Sequence, residues 1–370
     1  MSLKTKFAQK LRNLLGVQQL SSMVNQELRT NRALSILSSL GLPKDVELSL
    51  QLALYPQPNE KSGITLLTST QEYLMIKNYL SLVRPFKSRS LHLARIGGRG
   101  DGGYVMLDIE SDVESKANDA NNISHNNCPP PKQDLGNNSS LSSSFLLDSS
   151  TNLSFAKFSS AKPKAISLGV SAYSPWDLEM AQKGYQVIEY DASIEKSPYN
   201  HPNITFVKKF VGTEDARDTI SFESVIQSQN LDPNAYNVLQ VDIEDSEWAI
   251  LEKADLQLIA KYFPQVLFEF HNCNPCDEAL SARRLQILSK INELYAPIHT
   301  HFNHHGCAFY AIMDNEYKNG LFWCDTIEVS YIRKDLLPHD AKPLSGVGLR
   351  VGLDTPNSLF FPDLPLVFRD

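Results

Sequence analysis

The stretch Asn237 to Trp248, NVLQVDIEDSEW, constrains the fold of this chain more than any other. Val238 to Ile243 form an apolar run interrupted by Asp242, and Glu244, Asp245 and Glu247 follow at once. A short run of Val, Leu and Ile between polar residues reads as a buried strand of a parallel sheet. A carboxylate at the last turn of such a strand costs free energy unless something pairs with it. In open α/β sheets that end of a strand is also where ligands bind. A helix capped by Asp245 or Ser246 accounts for the residues after the strand. It does not account for Asp242, which is still inside the apolar run and is therefore a candidate functional carboxylate.

Around this stretch, strands and helices alternate. Strands are expected at 165–170 (AISLGV), 185–191 (YQVIEYD), 204–211 (ITFVKKFV), 265–271 (QVLFEFH), 298–302 and 326–332. Helices are expected at 176–183, 221–229, 246–262 and 279–294. This alternation predicts a doubly wound, mostly parallel α/β sheet over residues 164–335, with helices on both faces. Residues 1–90 read as a helical extension. Residues 91–108, LHLARIGGRGDGGYVMLD, read as a strand, a glycine-rich loop and a strand packing on the core. The loop has neither the Lys-Ser/Thr of a P-loop nor the GxGxxG spacing. Residues 109–163 are rich in Ser and Asn, which predicts a disordered insertion. Residues 336–370 read as a wrapping tail.

Composition narrows the classes of function. A net charge of −7 argues against a general nucleic-acid binder. Five scattered cysteines argue against a disulfide framework and for a reducing compartment. There is no apolar run of membrane-spanning length and no secretory pattern, so a cytoplasmic location is expected. Leu3, Phe7, Leu11, Leu14 and Leu15 recur at helical spacing among Lys4, Lys6, Lys10 and Arg12. Residues 1–20 could thus lie on the inner membrane face or contact a protein; capping a core or pairing with another subunit is the plainer reading.

Two groups of residues could carry chemistry. The first strand ends at Gly169 and the next at Asp191, an interval of roughly 20 residues, which is the logic of adenosine-cofactor binding. Gly169 would let backbone approach a ligand, and Asp191 would accept hydrogen bonds from ribose hydroxyls. Nicotinamide enzymes use the same device, so the cofactor stays open at this point. In the second group, Glu269 and His271 are two apart and face one side of a strand. With Asp242 on the neighbouring strand, and His301 at the end of a further one, they converge at the carboxyl edge. Such a set suits a divalent cation such as Mg, Mn or Zn, and equally a general base acting on a hydroxyl. CNPC (273–276) near His304, His305 and Cys307 offers one CxxC without a second pair, a poor zinc pattern.

In order, RIGGRGDGGYVML, SLGV…WDLEMA, YQVIEYD, HPNITFVKK, VLQVDIEDSEWAIL and VLFEFHN resemble the FkbM-like methyltransferases, over residues 91–108 and 165–332. The resemblance implies a class I, Rossmann-like, S-adenosylmethionine-dependent fold and O-methylation of a sugar, glycan or small-molecule hydroxyl. It implies that Gly169, Val170 and Ser171 meet the methionine part of the cofactor. Asp191 and Ala192 would meet the ribose, and Asp242 would lie near the transferred methyl. Asp242, Glu269 and His271 would serve catalysis, with a cation possible at those three and His301. The family usually has glycine where this chain has Asp245, which would place an extra carboxylate beside the site. Two rivals are a non-catalytic scaffold in glycan assembly and an NAD-dependent sugar-nucleotide enzyme; the latter lacks a GxGxxG and a Tyr-x-x-x-Lys pair.

Overall fold

Apolar side chains on alternate positions of a strand must be covered on both faces, and here two separate cores cover them. The computed structural model describes residues 64–67, 70–108, 158, 162–303, 305–306, 308–311, 321–357, 363–364 and 366–368. The main sheet is built from β1 (Lys164–Leu168), β2 (Gln186–Tyr190), β3 (Ile204–Val207), β4 (Val238–Val241), β5 (Gln265–Phe270), β6 (Tyr295–Phe302) and β7 (Ile327–Arg333). Every residue of β4, β5 and β6 is buried. Ile166, Leu168, Leu239, Val241, Val266 and Phe268 enter one core, while Ala165, Val238 and Leu267 enter the other.

The strand order is β6-β7-β5-β4-β1-β2-β3. β3, β2, β1, β4 and β5 are parallel, and β7 runs antiparallel to both β5 and β6. This seven-stranded, mostly parallel sheet is consistent with a Rossmann-like methyltransferase fold. The chain builds outward from β1 through β2 to β3, then returns to place β4 on the other flank of β1. The seam between β1 and β4 is therefore the topological switch point, with a crevice outside the strand ends.

The helices are α1 (Thr70–Leu82), α2 (Pro175–Gln182), α3 (Phe222–Ser228), α4 (Ser246–Lys253), α5 (Leu256–Tyr262) and α6 (Glu278–Leu294). On one face, α1 stacks Tyr79 on Trp323, with ring centroids 4.9 Å apart. On the other, α2 buries Trp176 and Met180 against the hairpin of Leu93–Ile96 and Tyr104–Leu107. The hairpin packs on that core, and the Ser330 hydroxyl of β7 donates to the Val105 carbonyl at 2.6 Å.

Three expectations are corrected. The helix expected over 246–262 is two, because Ala254 is extended and the Asp255 side chain caps α5 by accepting from Gln257 N–H at 2.9 Å. The strand expected over 204–211 ends at Val207, where Lys209 N–H turns back to the Val207 carbonyl at 2.8 Å, a three-residue turn. Phe210–Gly212 then pairs with Thr219–Ser221 in a separate small sheet. Within 1–90, Ile64–Leu67 is a strand parallel to Ala308–Ala311, and α1 is the helix among the described residues. Residues 1–63, and all of the 109–163 insertion except 158, 162 and 163, lie outside the described residues. Within 336–370, Lys342–Pro343 pairs with Phe86–Lys87, and Gly346–Val347 with Val367–Phe368.

Candidate active site

Three strand ends are drawn together at the switch point. Gly169 N–H donates to the Tyr190 carbonyl at 3.0 Å, and Asp242 N–H donates to the Leu168 carbonyl at 2.9 Å. Gly169 has φ +88°, and a Cβ there would lie 1.6 Å from the Asp242 carbonyl oxygen. The approach that this glycine permits is therefore that of β4, and a cleft of about 260 Å³ opens over the turn. Gly169, Val170, Ser171, Asp191 and Asp242 line it; Ala192 does not, and Ser193 does.

Asp191 joins the ends of β1 and β2. It accepts the Val170 N–H at 3.0 Å on Oδ2 and the Ser193 N–H at 2.6 Å on Oδ1. Each carboxylate oxygen retains a second lone pair for a ribose hydroxyl.

The glycine-rich loop forms the opposite wall. Arg95 donates from Nε to the Gly98 carbonyl and from Nη2 to the Gly100 carbonyl, both at 2.6 Å. Gly97 N–H donates to Glu179 at 2.8 Å, and a Cβ on Gly97 would meet Trp176 N at 2.7 Å. The loop is thus pressed onto the start of α2, with Asp101, Gly102 and Tyr104 facing the cleft. The tail holds its outer side: Gly100 N–H donates to Thr355 Oγ1 at 3.1 Å and Asp101 N–H to the Asn357 carbonyl at 3.1 Å.

A directed chain of hydrogen bonds crosses the floor. The Ser167 hydroxyl donates to Gln240 Oε1 at 3.0 Å, Gln240 Nε2 to the Tyr104 hydroxyl at 3.2 Å, and that hydroxyl to Asp242 Oδ2 at 3.5 Å. Asp242 is the terminal acceptor. Beyond it stands His271, whose Nε2 lies 3.5 Å from Glu269, 3.7 Å from Glu244 and 3.9 Å from Asp242. Glu247, fully buried on α4, accepts both the His271 backbone N–H at 2.7 Å and Nδ1 at 3.0 Å. Trp248 Nε1–H donates to the His271 carbonyl at 2.8 Å, so α4 clasps the end of β5.

The charges follow from that geometry. Burial opposes the charged form of His271, but its hydrogen bonds to Glu247 and Glu269, with their charges, push it up to about 11. A ring held that far up favours the imidazolium at neutral pH and leaves the neighbouring carboxyls as the better proton acceptors. Burial raises Glu269 to about 7, with the His271 hydrogen bond opposing and Glu328 reinforcing. Burial and Glu269 likewise raise Asp242, against His271. The two carboxyls lie beside the same imidazole and titrate as a unit.

His301 stands apart from this group. Its ring nitrogens are 3.1 Å from Glu328 and 2.9 Å from Asp363. Among the described residues, one ligand atom each of Asp242, Glu269 and His271 lie within 4.8 Å of one another, as do those of Asp101, Glu269 and Glu328. A cation at the first group would require His271 to release its proton. Cys273 is buried and Cys276 exposed, and neither belongs to these groups.

Asp245 does not crowd the site. Glu244 and Asp245 are both left-handed, with φ +54° and +78°, which explains why glycine suits that place. The Asp245 carboxylate turns to Arg284 of α6, and it caps α4 without a side-chain bond. Tyr104, Gln240 and Glu247 are site residues that the sequence reading did not single out. Glu247 was visible only as an acid in the first turn of a helix.

No family model matches the chain, and no curated protein does. Among solved structures, it is similar to a SAM-dependent methyltransferase from Agrobacterium tumefaciens, with 11% identity over 75% of this chain and 97% of the other. The TM-score is 0.25, a likeness too slight to carry an argument.

Proposed function

We propose that this protein is an S-adenosylmethionine-dependent O-methyltransferase acting on a sugar or glycan hydroxyl. The observation that carries the reading is the cleft at the β1/β4 switch point, with Asp191 at the end of β2 and Asp242 at the end of β4. When bound, the cofactor supplies an electrophilic methyl carbon. Asp191 and the Gly169–Ser171 turn bind and orient it, and the glycine loop with Tyr173 narrows the mouth. The Asp242–Glu269 pair accepts the proton that the acceptor hydroxyl loses on attack. The His271 imidazolium keeps part of that pair ionised at neutral pH. The main contribution to rate is positioning of the two reactants.

A second reading of the same residues places a divalent cation at Asp242, Glu269 and His271, favoured by ligand atoms within 4.8 Å. Loss of turnover on chelation, restored by one metal, would select it. Peripheral membrane or protein contact through residues 1–20 is a separate expectation, outside the described residues. Among the described residues, no helix is long and apolar enough to cross a membrane.

Calorimetric titration tests the main reading. Micromolar binding of S-adenosylmethionine and its demethylated product, absent for NAD and lost in Asp191→Ala, is the expected result. Absence of binding to a folded sample favours a scaffold, and binding of NAD alone favours the dehydrogenase class.

A further inference from the structure

β5 and β7 set two carboxylates against each other. Glu269 and Glu328 are directly opposite in the antiparallel register, and each is 6% exposed. Like charges at opposed positions of paired strands repel, and burial adds to the cost. The glycine-rich loop brings a third: one oxygen each of Asp101, Glu269 and Glu328 lie within 4.8 Å of one another. Among the described residues, the buried two form ion pairs with imidazoles, Glu269 with His271 and Glu328 with His301. Each imidazole is already matched by another carboxylate, His271 by Glu247 and His301 by Asp363. Asn357, 7% exposed, reaches into the same group. Its Nδ2 donates to Asp101 at 3.1 Å and to Glu328 at 2.6 Å, while its Oδ1 is a buried acceptor with no hydrogen-bond partner. Amide oxygen and nitrogen are nearly alike in shape, so half a turn of that amide presents Oδ1 to the carboxylates without needing more room.

We propose that Asp101, Glu269, Glu328 and Asn357 form a site for a hard divalent cation of the magnesium or manganese kind. Three carboxylates and an amide carbonyl make an all-oxygen set, which suits such ions rather than zinc or copper. Unlike the group around His271, this one requires no imidazolium to give up its proton. The ion removes the repulsion between Glu269 and Glu328 and meets the orphaned Asn357 oxygen. It also ties the glycine loop to the sheet and the tail at one point. A proton on Glu269 relieves the same repulsion, so ion and proton compete, and Asp242 stays outside the set as a base. Four protein ligands leave two positions of an octahedral ion for water, or for oxygens of a molecule in the cleft that Asp101 also lines.

The test reads metal binding with no cofactor present, so it fails or succeeds separately from the methyltransferase reading. The full chain is stripped with a chelator, and manganese(II) is titrated in by calorimetry, with electron paramagnetic resonance counting the bound ion. One ion per chain, with Kd below about 100 μM, is expected. Asp101→Asn and Glu328→Gln should each weaken it by at least about ten-fold, the loss of a charged ligand, and His271→Gln by less than about three-fold. Asp101 is exposed, so its variant decides the matter should Glu328→Gln fold poorly. No saturable binding to the wild type, or binding that survives Asp101→Asn unchanged, overturns the site. Binding lost in His271→Gln and kept in Asp101→Asn puts the ion at Asp242, Glu269 and His271 instead.

Discussion

Nη2 of Arg284 lies 2.6 Å from Oδ1 of Asp245, and the guanidinium, 3% exposed, sits 5.2 Å over the Trp248 ring. Asp245 therefore compensates for its left-handed backbone by neutralising a buried cation on α6. Asp245→Ala should destabilise the fold by about 2 kcal/mol, because it strands that guanidinium. Asp245→Gly should cost roughly 1 kcal/mol less, since glycine adopts φ +78° without strain. Urea midpoints at neutral pH measure both, and cofactor affinity should hold in each. A loss of affinity as large as the loss of stability would place Asp245 back in the site.

If the protein is the methyltransferase proposed above, the acid limb of its rate profile is expected to report Glu269. With its carboxyl at about 7, kcat/KM should rise as pH increases through neutrality, because the base must be ionised. His271 holds Glu269 down through its hydrogen bond and charge, so His271→Gln should move that limb to higher pH. A profile flat between about pH 6 and about pH 8 would remove Glu269 from the proton transfer.

Glu189 links the ligand-free fold to pH. Burial raises it from 4.5 to about 7, with Ser197 opposing. Stability from the neutral form is complete below pH 4.5 and is lost as pH rises through about 7. Glu189→Gln cannot ionise, so above neutrality it should be the more stable protein, by on the order of 3 kcal/mol at most. The advantage should shrink toward zero in acid. Thermal melts across that window decide it, and equal melting at alkaline pH would show that Glu189 has a partner.

Asn357 ties three separate parts of the site. Its Nδ2 donates to Asp101 at 3.1 Å and to Glu328 at 2.6 Å, while its carbonyl accepts from Asp101 N–H. Asn357→Ala should loosen the glycine loop and weaken cofactor binding by roughly five- to ten-fold, the loss of about 1 kcal/mol or slightly more. Calorimetry with the intact variant reads this directly. Unchanged affinity would make the tail a mere cover.

The sheet was legible because its strands are nearly continuous apolar runs, and the polar residues ending β4 and β5 stood out against them. Asp242, Glu269 and His271 could be grouped for that reason. The breaks were harder to see. Asp255 after Lys253-Ala254 is a capping signal inside an amphipathic pattern that otherwise continues, and Val207 ends β3 through a backbone turn that any residue can make. Glu247 was hidden because its role depends on α4 folding back over the end of β5. Tyr104 and Gln240 are 136 positions apart and meet only once the hairpin packs on the sheet. The protonation of His271 rests on Glu247 of α4, 24 positions away, as well as on Glu269 of its own strand, which no local pattern contains.

The bond from Asp101 N–H to the Asn357 carbonyl spans 256 positions. A ribosome adding about 5–20 residues per second needs on the order of tens of seconds to make that stretch. For all of that time the loop that walls the cleft has been synthesised without its outer support. The growing chain can assemble its sheet in sequence, yet the wall of the cleft gains its outer hold only once Asn357 has emerged.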